Sequence, residues 1–129
     1  MKKRLVLLVD EDVRTARLLA KLLGEDGYDV EVSTDGASAV GRLSRPPAPD
    51  VLITDLCIAH ADGMAVARYA CVQNPGIRIF FVTGYPELIT KSDDPLVPFA
   101  QVFAKPLAYR ELIEAMDGPA HGFRRMTTG

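Results

Sequence analysis

Short unbroken apolar runs, separated by helical stripes, constrain this chain more than any other feature. Four runs stand out: Leu5–Val9, Val51–Thr54, Ile77–Val82 and Val102–Ala104. A strand covered on both faces meets no water on either side, so it reads as continuously apolar. A weaker run, Val30–Ser33, alternates with acidic residues, the pattern of an edge strand with one wetter face.

Helical spacing fills the gaps. Val13, Ala16, Leu19, Ala20 and Leu23 recur at three and four residues and predict one apolar face, ended by Gly24 or Gly27. Ala37, Val40 and Leu43 predict a second helix, stopped by Pro46-Pro47. Met64–Val72 predicts a third, closed by Asn74-Pro75-Gly76. Ala108–Met116 predicts the last, with Leu112, Ile113 and Met116 inward and an end near Gly118. Between Pro86 and Pro98 three prolines interrupt the pattern, so that helix is expected to be short or irregular and the segment mobile. Strand and helix thus alternate along the whole chain. The expectation is an α/β fold, a five-stranded parallel sheet with helices on both faces, joined by right-handed crossovers.

With 129 residues, 48% of them hydrophobic, the chain suits one domain with one ordinary core. We expect that domain to span residues 1–118, with 119–129 as a flexible tail. A net charge of -2 gives no footing for general affinity to nucleic acid or an anionic membrane. Met1-Lys2-Lys3-Arg4 and the apolar run behind it resemble a secretory leader only briefly, because Asp10-Glu11-Asp12 stops the run. A leader needs roughly 7–15 apolar residues, and a membrane span ~20. A cytoplasmic location is expected. Cys57 and Cys71 form no CxxC and read as two reduced thiols without special role.

Ligands of open parallel sheets collect outside the carboxyl ends of the strands. The residues placed there are Asp10, Glu11 and Asp12 after the first run, Asp55 after the third strand, Thr83 and Gly84 after the fourth, and Lys105-Pro106 after the fifth. Asp12 doubles as a helix N-cap. Carboxylates gathered in one cleft repel each other, and a hard divalent cation removes the repulsion. Mg²⁺ favours oxygen ligands and is commonly shared with a phosphate. The Lys105 ammonium can pair with carboxylate or phosphate, and the Thr83 hydroxyl can donate to a phosphoryl oxygen. Such a set can stabilise a transferring phosphoryl group, with a carboxylate as nucleophile.

"LLVDEDV", "VLITDL…DG", "FVTGY" and "FAKPL" occur in this order, and together they resemble the signature blocks of response-regulator receiver domains. The resemblance covers the chain to about Met116. It implies a flavodoxin-like sheet of order 2-1-3-4-5. It also implies that Asp55 is the phosphoacceptor and that Mg²⁺ is held by Asp10, Glu11, Asp55 and the backbone carbonyl of Cys57. Glu11 would bind the ion directly and Asp10 through water. Thr83 and Lys105 would engage the phosphoryl group, and Pro106 would be a cis-proline that fixes its loop. Cys57 and Tyr85 would tune the lifetime of the aspartyl-phosphate, and His60 would be an exposed loop residue.

Three positions depart from the family. Ile58 and Ala59 replace a common Met-Pro, which should loosen the loop after Asp55. Val102 stands where a switch aromatic is usual, and the adjacent Phe103 should face the other side of the sheet. Phe103 and Val82 are expected in the core.

The resemblance implies a single-domain regulator that receives a phosphoryl group from a histidine kinase or phosphotransfer protein. It would catalyse only its own phosphorylation and dephosphorylation, in a bacterial host. No helix-turn-helix follows Met116, so output is expected through a downstream protein target or a homodimer, without DNA or membrane binding. Tyr85–Pro106 is the expected responsive face. Other readings are a degenerate receiver acting unphosphorylated as a binding module, a receiver fragment of a hybrid kinase, and a phosphatase with an aspartyl nucleophile. The phosphatase lacks a second acid at position 57. A nucleotide- or flavin-binding protein ranks last, because no glycine-rich loop follows the first run.

Overall fold

The computed structural model describes residues 3–58, 61–96 and 99–118. Along the chain these are β1 (Leu5–Val9), α1 (Val13–Glu25), β2 (Asp29–Ser33), α2 (Gly36–Leu43), β3 (Val51–Thr54), β4 (Cys57–Ile58), β5 (Ala61–Asp62), α3 (Gly63–Gln73), β6 (Arg78–Thr83), α4 (Pro86–Thr90), β7 (Ala100–Ala104) and α5 (Tyr109–Asp117). Five strands form one sheet in the order β2-β1-β3-β6-β7. Every pairing in it is parallel. Counted among the sheet's own strands, this is the order 2-1-3-4-5 that the motifs imply. The antiparallel pair of β4 and β5 lies outside the sheet.

The apolar runs are where they are because of burial. Every residue of β1 and β3 is buried. β2, the alternating run, is an edge strand, mostly exposed. Side chains alternate between two cores. Leu7 and Val9 join Leu52, Phe81, Ala39 and Val66 under α2 and α3. Val6 and Leu8 join Ile53, Phe80, Leu23 and Leu112 under α1 and α5. Val82 is buried, while Phe103 is only partly so and packs beside Phe80.

Two predicted helical faces are corrected. Val13 is 46% exposed: it is the first residue of α1, at the rim where β1 has already ended. In α2 the buried face is Gly36, Ala39, Arg42 and Leu43, while Ala37 and Val40 are exposed. The cause is Arg42, only 5% exposed. Its Nε pairs with Glu31 Oε1 at 2.6 Å, and its terminal nitrogens donate to the carbonyls of Arg45 and Pro47 at 3.0 and 2.8 Å. A satisfied guanidinium can hold an inward position that a hydropathy pattern assigns to an apolar residue.

Among its described residues, the proline-rich segment holds a short helix of five residues, α4. Ser92–Leu96 then folds back over α3: Arg68 pairs with Asp94, and Leu96 enters the core beside Ile89. At the opposite end of the sheet, Arg78 donates to the carbonyls of Ala115, Met116 and Gly118, and Arg4 to that of Met116. The Tyr28 hydroxyl donates to Asp117 and that of Tyr109 to Asp26. These bonds tie α5 to the sheet and to α1. The expectations for the loop at Ala59 and His60, for Pro98 and for the tail 119–129 lie outside the described residues. No helix among the described residues is long and apolar enough to cross a membrane.

Candidate functional site

Parallel pairing continues one residue past the strands and sets the rim. Asp10 N–H donates to Ser33 O at 3.1 Å, Asp55 N–H to Val9 O at 3.2 Å, and Lys105 N–H to Thr83 O at 2.8 Å. Asp10 and Asp55 therefore leave β1 and β3 at one level, while β6 and β7 run two residues further before Lys105 leaves β7. Lys105 Nζ reaches across β6 to stand 2.7 Å from Asp55 Oδ2 and 3.4 Å from Asp10 Oδ2.

The remaining oxygens are also held. Asp10 Oδ1 accepts from Asp12 N–H at 2.9 Å, and Asp55 Oδ1 from Cys57 N–H at 3.3 Å. The Asp10 and Asp55 side chains are only 10% and 15% exposed. Burial pulls the Lys105 ammonium down, but the Asp55 hydrogen bond and the charges of Asp10 and Asp55 outweigh it, and its pKa is raised. Two nearly covered carboxylates thus share one cation. The site is short of positive charge, and its carboxylate oxygens are hard ligands, which suits a divalent ion such as Mg²⁺.

Glu11 is exposed. Among the described residues no three His, Cys, Asp or Glu side chains lie close enough to hold a metal ion together, so Glu11 stands outside the Asp10–Asp55 pair. Thr83 is fully buried, and its hydroxyl oxygen accepts from Tyr85 N–H at 3.1 Å. Cys57 is a free, exposed cysteine on β4. The Lys105–Pro106 peptide is cis. Val102 packs with the core under α3 and Phe103 with the core under α5, so no aromatic side chain of β7 shares Val102's face.

Two further residues shape the Asp55 turn, Thr54 and Gly63. The Thr54 hydroxyl donates to the Asp55 carbonyl at 2.8 Å. Gly63 packs so closely that a Cβ there would lie 1.9 Å from the same oxygen. Gly63 was visible as the last residue of "VLITDL…DG". Nothing in the sequence singles out a threonine at the end of a strand.

The response regulator receiver domain model matches residues 6–117. The chain is 33% identical to the response regulator receiver protein CpdR of Brucella abortus over 87% of its own length and 92% of that protein's. It is 26% identical to the transcriptional regulatory protein TrcR of Mycobacterium tuberculosis over 88% of its length, but spans only 44% of that relative. The crystal structure of a response regulator receiver protein from Sinorhizobium medicae superposes with a TM-score of 0.80 at 25% identity, covering 90% of this chain and 93% of that one. With its parallel sheet, its acidic rim and the lysine between the two aspartates, the chain belongs to the response regulator receiver domain family of two-component signal transduction.

Proposed function

We propose that this chain accepts a phosphoryl group on Asp55 from a phosphohistidine of a histidine kinase or phosphotransfer protein, with Mg²⁺ bound at the rim. The observation that carries this reading is Lys105 Nζ placed between Asp55 and Asp10, at 2.7 and 3.4 Å. In the transfer, an Asp55 carboxylate oxygen forms a bond to phosphorus as the bond from phosphorus to the donor imidazole breaks. The leaving nitrogen keeps the electron pair. Mg²⁺, when bound, neutralises negative charge on the carboxylates and the phosphoryl oxygens.

The protein's own part is positioning and charge. Asp10, Asp55 and the Cys57 carbonyl would hold the ion, joined by Glu11 once its exposed side chain turns to the rim. Lys105 exchanges a carboxylate partner for a phosphoryl oxygen. Thr83 donates its hydroxyl proton to another phosphoryl oxygen, while Tyr85 N–H holds the hydroxyl oxygen. Cys57 and Tyr85, both exposed, flank the approach of hydrolytic water and set how long the aspartyl-phosphate lasts. Output runs through protein contact at the Tyr85–Pro106 face, where Tyr85, Leu88 and Phe99 are exposed. The contact is with a downstream protein or a second copy. Phosphorylation acts by shifting a two-state equilibrium of that face.

The test is to weigh the intact protein after incubation with a small acyl phosphate, with and without Mg²⁺. A Mg²⁺-dependent gain of one phosphoryl group supports the reading. No gain under either condition would favour the unphosphorylated binding module.

A further inference from the structure

We infer that Thr54 is a positioning residue for Asp55: its buried hydroxyl, working against Gly63, fixes the Asp55 peptide and thereby aims the carboxylate. The inference rests on Asp55 being the phosphoacceptor.

Thr54 is the last residue of β3, and its exposure is 0%. A buried hydroxyl has to find a partner. This one donates to the backbone carbonyl of the next residue, Asp55, at 2.8 Å. On another side the same carbonyl meets Gly63. A Cβ built there would lie 1.9 Å from Asp55 O, 2.9 Å from Asp55 C and 3.0 Å from Leu56 Cα. Gly63 N–H also donates to Leu56 O at 2.6 Å. The peptide following Asp55 is therefore held by a hydroxyl and by the bare backbone of α3.

That peptide sets the turn on which the chemistry depends. Cys57 N–H reaches back to Asp55 Oδ1 at 3.3 Å, so the amide and the nucleophile's carboxylate move as one unit. Rotation of the Asp55 peptide would swing Cys57 N–H away from Oδ1, and with it Asp55 Oδ2 from Lys105. It would also turn the Cys57 carbonyl, the backbone ligand proposed for the ion. Thr54 touches neither phosphoryl group nor metal. It acts through Asp55.

Thr54→Val keeps shape and removes the hydroxyl. Thr54→Ser keeps the hydroxyl. Displacement of a reacting group by about an ångström costs on the order of a hundredfold in rate. We expect the rate of phosphoryl uptake from acyl phosphate at saturating Mg²⁺ to fall roughly tenfold to a hundredfold in the Val variant, with the Ser variant close to wild type. In the metal-free proteins, the Leu56 and Cys57 amide resonances should shift in Thr54→Val and return in Thr54→Ser. A folded Val variant that takes up phosphate at the wild-type rate, with those amides unmoved, overturns the inference.

A measurement on wild-type protein covers the case in which the Val variant does not fold. The Thr54 hydroxyl proton should give a slowly exchanging resonance with a nuclear Overhauser contact to Gly63. Only fast exchange at that hydroxyl overturns the inference as well. Wild-type protein that gains no phosphoryl group would contradict the proposed function instead, and the hydroxyl and amide signals would still decide whether Thr54 holds the turn.

Discussion

Lys105 Nζ lies nearer to Asp55 Oδ2, at 2.7 Å, than to Asp10 Oδ2, at 3.4 Å, and it is the cation that lets the two covered carboxylates share one rim. Replacing it exposes their repulsion. Lys105→Met should lower stability in the presence of a chelator by about 1–2 kcal/mol, less than for a fully buried pair because Lys105 is partly solvated. Mg²⁺ should narrow the difference, since it supplies the missing positive charge. Denaturant unfolding of both proteins with chelator and with Mg²⁺ checks this. An equal loss under both conditions would mean that Lys105 does not balance this pair.

Gly63 should tolerate no side chain. Its neighbour is the Asp55 carbonyl, backbone that cannot rotate aside. Gly63→Ala should destabilise the fold by about 3 kcal/mol and slow phosphoryl uptake. Urea midpoints and intact-mass kinetics measure the two effects. A variant within about 0.5 kcal/mol of wild type would show that α3 moves away at little cost.

Much of this site is legible in the chain because strand ends follow from hydrophobic runs. Asp10, Asp55, Thr83 and Lys105 are found by asking what comes next after each buried strand. The sheet order needed the motif resemblance, and the sheet bears it out. What is not legible rests on contacts between residues far apart or on polar groups in apolar places. Arg42 reads as a surface charge until Glu31 and two carbonyls are seen around it. Arg4 and Arg78 meet the end of α5 from the other end of the sheet. Hydrophobic periodicity carries no trace of either. The β4–β5 pair, with two residues per strand, is too short for any periodic signal.

Alkaline pH should weaken the anchoring of α5. Burial, followed by the hydrogen bond to Asp117 and its charge, pushes Tyr28 up to about 12 from an ordinary 10.0. Burial and Asp26 raise Tyr109 as well. Because the folded-state values lie above the unfolded ones, this stabilisation is full below about pH 10 and is lost as pH rises through about 12 for Tyr28. Tyrosinate absorbance should show Tyr28 and Tyr109 ionising late. Tyr28→Phe should flatten the fall in melting temperature between those pH values. Four tyrosines that ionise together near 10 would contradict the anchoring.

The Arg68–Asp94 pair should decide how firmly the segment after α4 lies on α3. Asp94 also accepts from Leu96 N–H at 2.9 Å, so the pair and the inserted Leu96 form one unit. Arg68→Ala should cost under about 1 kcal/mol globally, because Arg68 is half exposed. Amide exchange at residues 91–96 should nevertheless rise severalfold. Unchanged exchange there would remove the pair from any account of the responsive face.

Placement of the phosphoryl group on Asp55 is the claim that supports the rest. Wild-type protein and Asp55→Asn should be incubated side by side with an acyl phosphate and Mg²⁺, then weighed intact. We predict a single phosphoryl mass on the wild type and none on a folded Asn variant. The same mass on both would place the acceptor elsewhere and contradict the account.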